Sequence, residues 1–162
     1  MTTNIGLVAA VIALVAAAAG PAIAHGDHEH GHETFAAGEP GDPARPAKAV
    51  AVTLEEKPDG TMVISPARLD VALGEQVRFE VKNAGKATHE FMLDSVAHNA
   101  RHKLAMQKNP EMEHDDPNGK TLDPGASTQI LWRFSKPGSF EFACLIPGHY
   151  EAGMHGIVTV RQ

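Results

Sequence analysis

From residue 49 onward, apolar and polar residues alternate in short runs bounded by Gly, Pro, Asn and Asp. Val77, Phe79 and Val81 share one face of "QVRFEVKNAG", and Ile130, Trp132 and Phe134 share one face of "TQILWRFSKPG". A period of two marks a strand with one face on a core, and repeated short runs of this kind predict an all-β sandwich or barrel. Further strands are predicted at "AVAVTLEE", "TMVIS", "RLDVAL", "THEFMLD", "GSFEFACLIP" and "GIVTVRQ", about eight in all. One segment, 95–118, interrupts this rhythm. Its first half holds helix formers and no β-branched run after Val96, so a short helix ending before Pro110 is predicted.

The pattern is different before residue 49. Ile5 to Gly20 is apolar and uncharged, and "PAIA" supplies a small-x-small cleavage pattern, so residues 1–24 are expected to be a cleaved signal peptide. The basic residue usual at the start of such a leader is missing from "MTTN". The apolar run is shorter than the ~20 residues that span a bilayer, so no membrane anchor is expected after cleavage. Residues 25–48 are poor in large apolar side chains and predict a disordered tail. Its first eight residues carry His25, His28, His30 and His32, a composition that suits either metal binding or a soluble spacer. One domain, 49–162, remains. The formal net charge of −6 lies wholly after the leader and makes nucleic acid a poor partner.

Export changes the meaning of the single cysteine, because extracytoplasmic thiols usually pair as disulfides. Cys144 has no partner in the chain, which leaves an intermolecular bridge, a buried bystander or a metal-protected thiolate. It shares strand parity with Phe140 and Phe142, so if those face the core the thiol does too. Pro147, Gly148 and Gly153 allow the following loop to fold back, which lets His149 and Met154 converge with Cys144. Thiolate, imidazole and thioether form a soft, mixed set that suits copper when a second histidine joins them. His89, at the start of a predicted strand, supplies it. Zinc is the competing metal, and the methionine favours copper. His155 adjoins Met154 and is expected at the rim.

The His89 segment together with "CLIPGHYEAGM" resembles the cupredoxins, the blue-copper proteins, over about residues 50 to 162. The resemblance implies a Greek-key β-sandwich with a type-1 copper site, His89, Cys144 and His149 being equatorial ligands and Met154 the axial one. "DDPN", "LDPG" and "GHYEAGM" look most like periplasmic cupredoxins linked to copper tolerance. Many cupredoxins have Asn after the first histidine, tying the two ligand loops together; Glu90 stands there in this chain.

A helix in the interrupting segment aligns His98, His102 and Met106 on one stripe, with Met112 and His114 following. These residues suit a second copper site; alternatively the helix packs Leu104 and Met106 on the sandwich and leaves the histidines in water. A site with four protein ligands reserves no position for substrate, so no enzyme activity is expected. Two functions are expected to compete: periplasmic copper handling that confers tolerance, with additional weakly bound copper, and mobile electron transfer to a redox partner protein. A monomer is expected.

Overall fold

The computed structural model describes Met1 and residues 35–162. The predicted leader and the four tail histidines His25, His28, His30 and His32 lie outside the described residues. The described elements, in chain order, are β1 (Glu39–Pro40), β2 (Lys48–Glu56), β3 (Met62–Ser65), β4 (Arg68–Ala72), β5 (Gln76–Asn83), β6 (His89–Asp94) and α1 (Val96–Lys108). They continue with β7 (Asp115–Asp116), β8 (Gly119–Leu122), β9 (Ser127–Arg133), β10 (Gly138–Ala143) and β11 (His155–Arg161). All of the predicted strands form, within a few residues of their expected bounds.

Two mixed sheets, with strand orders β1-β9-β5-β2-β3 and β4-β11-β10-β6-β8-β7, make a sandwich. Their inner faces meet in one core that includes Val52, Leu54, Val77, Phe79 and Trp132 from the first sheet and Phe91, Leu93, Phe142 and Val158 from the second. Alternating strands thus do what their pattern requires, each contributing one apolar face. In β6 every residue is buried, which alternation alone does not predict. The reason is α1, which covers the outer face of β6 and β10. Met92, Met106, Ala143 and Leu145 form a second, smaller apolar cluster beneath it.

The helix begins where a cap allows. The Ser95 hydroxyl accepts from the His98 N–H at 3.1 Å, satisfying one of the free donors of the first turn. It ends at Lys108, ahead of Pro110, as predicted. Asn99 reaches down to Glu141 Oε2 at 3.1 Å, and the Tyr150 hydroxyl donates to Glu141 Oε1 at 2.9 Å, so a buried carboxylate pins the helix and the last loop to β10. Met106 is buried as expected, but Leu104 is exposed. Its side of the helix faces water.

The expected tail of residues 25–48 is corrected in its later part. Phe35 packs edge-on against Trp132 at 5.2 Å, Ala37 is fully buried, and β1 pairs with β9. Gln76 fastens the next turn, accepting from Asp42 N–H at 2.7 Å and donating to Asp42 O at 2.9 Å. Two apolar residues suffice here because they close over an existing tryptophan surface rather than build a core of their own.

Candidate metal centre

The chain after β10 turns back on itself through a short hydrogen-bonded loop. His149 N–H donates to Ile146 O at 3.0 Å, Met154 N–H to His149 O at 3.1 Å, and Cys144 N–H to Met154 O at 3.0 Å. The last bond brings the two ends of the loop together. Cys144 and Met154 are both fully buried in the main core, while His149 is half-buried. Phe140, Phe142 and Cys144 all point inward, as strand parity requires.

The fourth residue arrives from the other ligand-bearing segment. Asn83 clamps the loop before β6, donating to Ala87 O at 2.8 Å and to Leu122 O at 2.9 Å. Glu56, at the end of β2, accepts from the N–H groups of Lys86 and Ala87, both at 2.9 Å. These bonds hold its carboxyl far below the ordinary range, at about 2. His89, fully buried, is thereby delivered to the end of the sandwich beside the 144–154 loop.

His89 Nδ1 lies 3.2 Å from His149 Nδ1, and His149 Nδ1 lies 3.3 Å from Cys144 Sγ. Ligand atoms of the three side chains all fall within 4.8 Å of one another. Three donors around an ion at about 2.0 to 2.3 Å stand roughly 3.5 Å apart when they share a plane with it. The observed spacings fit a metal ion at the centre of this triangle. The far nitrogen of His89 has its own neighbour: Nε2 is 2.9 Å from Glu56 Oε1, although the carboxylate sits off the N–H direction. A carboxylate at that nitrogen favours the proton there and leaves the Nδ1 lone pair for a metal.

Electrostatics prepare the nitrogens and oppose the free thiolate. Burial lowers the His89 and His149 pKa values, so both rings are neutral ligands near neutral pH. Burial pushes the Cys144 thiol up to about 12, against the opposing pull of the Glu90 and Ile146 backbone N–H groups. A buried thiolate requires a cation beside it, and the donor set supplies the place for one.

Glu90 occupies the position where many cupredoxins have Asn, yet the two loops remain tied. Its backbone N–H donates to Cys144 Sγ at 3.3 Å, and its carboxylate Oε2 accepts from Leu145 N–H at 3.3 Å. His155 is exposed and stacks on Tyr150 at 4.5 Å, away from the donor triangle.

The sequence over residues 50–161 matches the copper binding proteins of the plastocyanin/azurin family. The chain belongs to the plastocyanin/azurin family. This membership makes copper the metal of the site. Among curated relatives, the "Copper-resistant cuproprotein CopI" of Rubrivivax gelatinosus is 46% identical over 136 residues, covering 84% of this chain and 79% of that protein. The protein of the same name from Pseudomonas aeruginosa is 36% identical over 153 residues, covering 76% of this chain and 82% of that protein. Among solved structures, auracyanin B superposes with a TM-score of 0.59 at 25% identity, over 79% of this chain and 99% of that one.

Of the five residues predicted for a second site, the structure brings two together. His102 Nε2 and His114 Nε2 are 3.0 Å apart. His98 instead pairs with Asp94, Nδ1 to Oδ2 at 3.4 Å, and Met106 and Met112 pack with Met92 in the apolar cluster under the helix. Sequence reading passed over Glu56 altogether. A charged residue at a strand end carries no signal that it will meet a histidine 33 positions later in the chain.

Proposed function

We propose that this protein holds copper in a type-1 site, for which His89, Cys144, His149 and Met154 would be the ligands, and thereby contributes to copper tolerance in the periplasm. The observation that carries the reading is the triangle of two imidazole nitrogens and one thiol at 3.2 and 3.3 Å, at the end of a copper-protein fold. Copper held this way supplies one-electron chemistry, cycling between Cu(I) and Cu(II). The chain's own residues do the rest. Glu56 orients His89, the Glu90 N–H stabilises charge on Cys144 Sγ, and the loop bond from Cys144 N–H to Met154 O keeps the methionine beside the cysteine.

With four protein donors no coordination position is kept for a substrate, which supports binding and redox handling of copper over bond-making catalysis. The name shared by the relatives, a copper-resistant cuproprotein, supports tolerance as the physiological role. A second reading, an electron carrier, draws on His149. It is half-buried and is the donor of the triangle nearest the surface, the place where a redox partner would approach.

Growth of a strain lacking the gene distinguishes the two. Copper handling predicts poor growth on excess copper and normal respiration at trace copper. Normal copper resistance combined with impaired respiration would replace this reading with the carrier.

A further inference from the structure

Successive residues of a strand point to opposite faces, so His89 and Glu90 look in opposite directions from the same end of β6. His89 faces the donor triangle. Glu90, Met92 and Asp94 face outward, beneath α1 and the segment that follows it, where His102 and His114 meet.

This outer cluster has the makings of a chelate. His114 Nδ1 is 3.0 Å from Asp116 Oδ2, so Asp116 accepts a hydrogen bond from the N–H of that nitrogen and leaves the Nε2 lone pair aimed at His102. The same logic governs His89 and Glu56 on the inner face. Two nitrogens bound in cis to one ion at about 2 Å are roughly 2.8 to 3.3 Å apart, and the His102–His114 separation of 3.0 Å lies in that range. A third oxygen stands close: Glu90 Oε1 lies 3.9 Å from His114 Nε2. Glu90 is fully buried, and this oxygen has no hydrogen-bond partner. A buried carboxylate oxygen without a donor is costly unless a cation approaches it. His102 is reached from solvent through a cleft of about 350 Å³ that is also lined by Met92, Asp94, His98 and Asp116.

We propose that His102 and His114 are the primary ligands of a second, solvent-accessible Cu(II) site on the outer face of β6, completed by the Glu90 carboxylate, with Asp116 positioning His114. Two imidazoles with a carboxylate suit Cu(II), whereas the inner site, with its thiolate and thioether, suits both copper oxidation states. The protein would then hold two copper ions back to back across one strand. The outer one is open to exchange with the surroundings and the inner one is closed.

The test uses the full chain with His25, His28, His30 and His32 each replaced by alanine, so that the tail contributes no imidazole ligands. The Cys144 centre is first filled with one equivalent of copper. Cu(II) is then added, followed by calorimetry and by the paramagnetic resonance difference spectrum. The expected result is one further equivalent, with the splitting of a two-nitrogen site. His102→Gln should weaken that equivalent at least tenfold while leaving the visible band of the first centre and the melting temperature unchanged. Asp116→Asn should weaken it about ten- to a hundredfold. His102 is only partly buried, so its variant decides the matter even if His114→Gln fails to fold. Absence of a further equivalent, or one whose affinity His102→Gln leaves untouched, would reduce the pair to two hydrogen-bonded rings and overturn the proposal. The visible band reports the first centre separately, so its failure and the failure of the outer site are told apart.

Discussion

Cys144 sits fully buried with its thiol pushed up to about 12, beside two histidines whose protons burial has already disfavoured. The sign of the pH dependence follows from which groups must lose a proton when metal binds. Near neutral pH the imidazoles are neutral and the thiol is protonated, so uptake of Cu(II) releases one proton, from sulfur. The apparent affinity should therefore rise about tenfold for each pH unit between roughly 6.5 and 8.5, and fall more steeply only once the histidines protonate in acid. Competition against a chelator of known affinity, repeated across that range, measures the slope. A flat profile would mean that the apo thiol is already ionised, contrary to its burial. Glu56, held at about 2 by two backbone N–H groups, stays charged throughout this range and keeps its grip on His89.

At the scale of elements, the local pattern revealed most of what matters and missed what depends on distant partners. The eight predicted strands were legible because each alternates against a single core. The strands β1, β7 and β8 were not, since "EP", "DD" and "GKTL" contain too little apolar periodicity to stand out. The strap before β2 was read as part of a tail for the same reason: Phe35 and Ala37 lie among polar residues, and their burial depends on Trp132, almost a hundred positions away. Its docking rests on Gly38. At φ +145 this residue brings the backbone so near β9 that an added Cβ would lie 2.0 Å from Arg133 O. Both the strained φ and the clash with a backbone atom exclude a side chain there. Gly38→Ala should release the strap and uncover Trp132, the sole tryptophan, which is fully buried in the folded protein. Tryptophan emission should shift to longer wavelength while copper binding at Cys144 persists. Unchanged emission would show that the strap stays docked without a glycine at position 38.

Across the molecule, β6 and β10 pair as neighbours in one sheet, so that residues 89 and 144, far apart in sequence, share one end of the sandwich. The donor group His89, Cys144 and His149 was legible because it is chemically unusual: a lone cysteine followed at fixed intervals by histidine and methionine has few other uses. What surrounds those ligands was not legible. Glu56 gave no signal and Glu90 stood out only as a departure from the Asn of many cupredoxins; the folded chain reveals that one carboxylate lies against His89 and the other ties two loops and faces a second histidine pair. The central claim is that the Cys144 sulfur binds copper directly, and visible absorption of the Cu(II)-loaded protein tests it most simply. An intense thiolate-to-copper charge-transfer band is predicted at one equivalent of copper and should vanish in Cys144→Ser. Absence of the band in the unaltered protein, or its survival in the serine variant, would contradict the account.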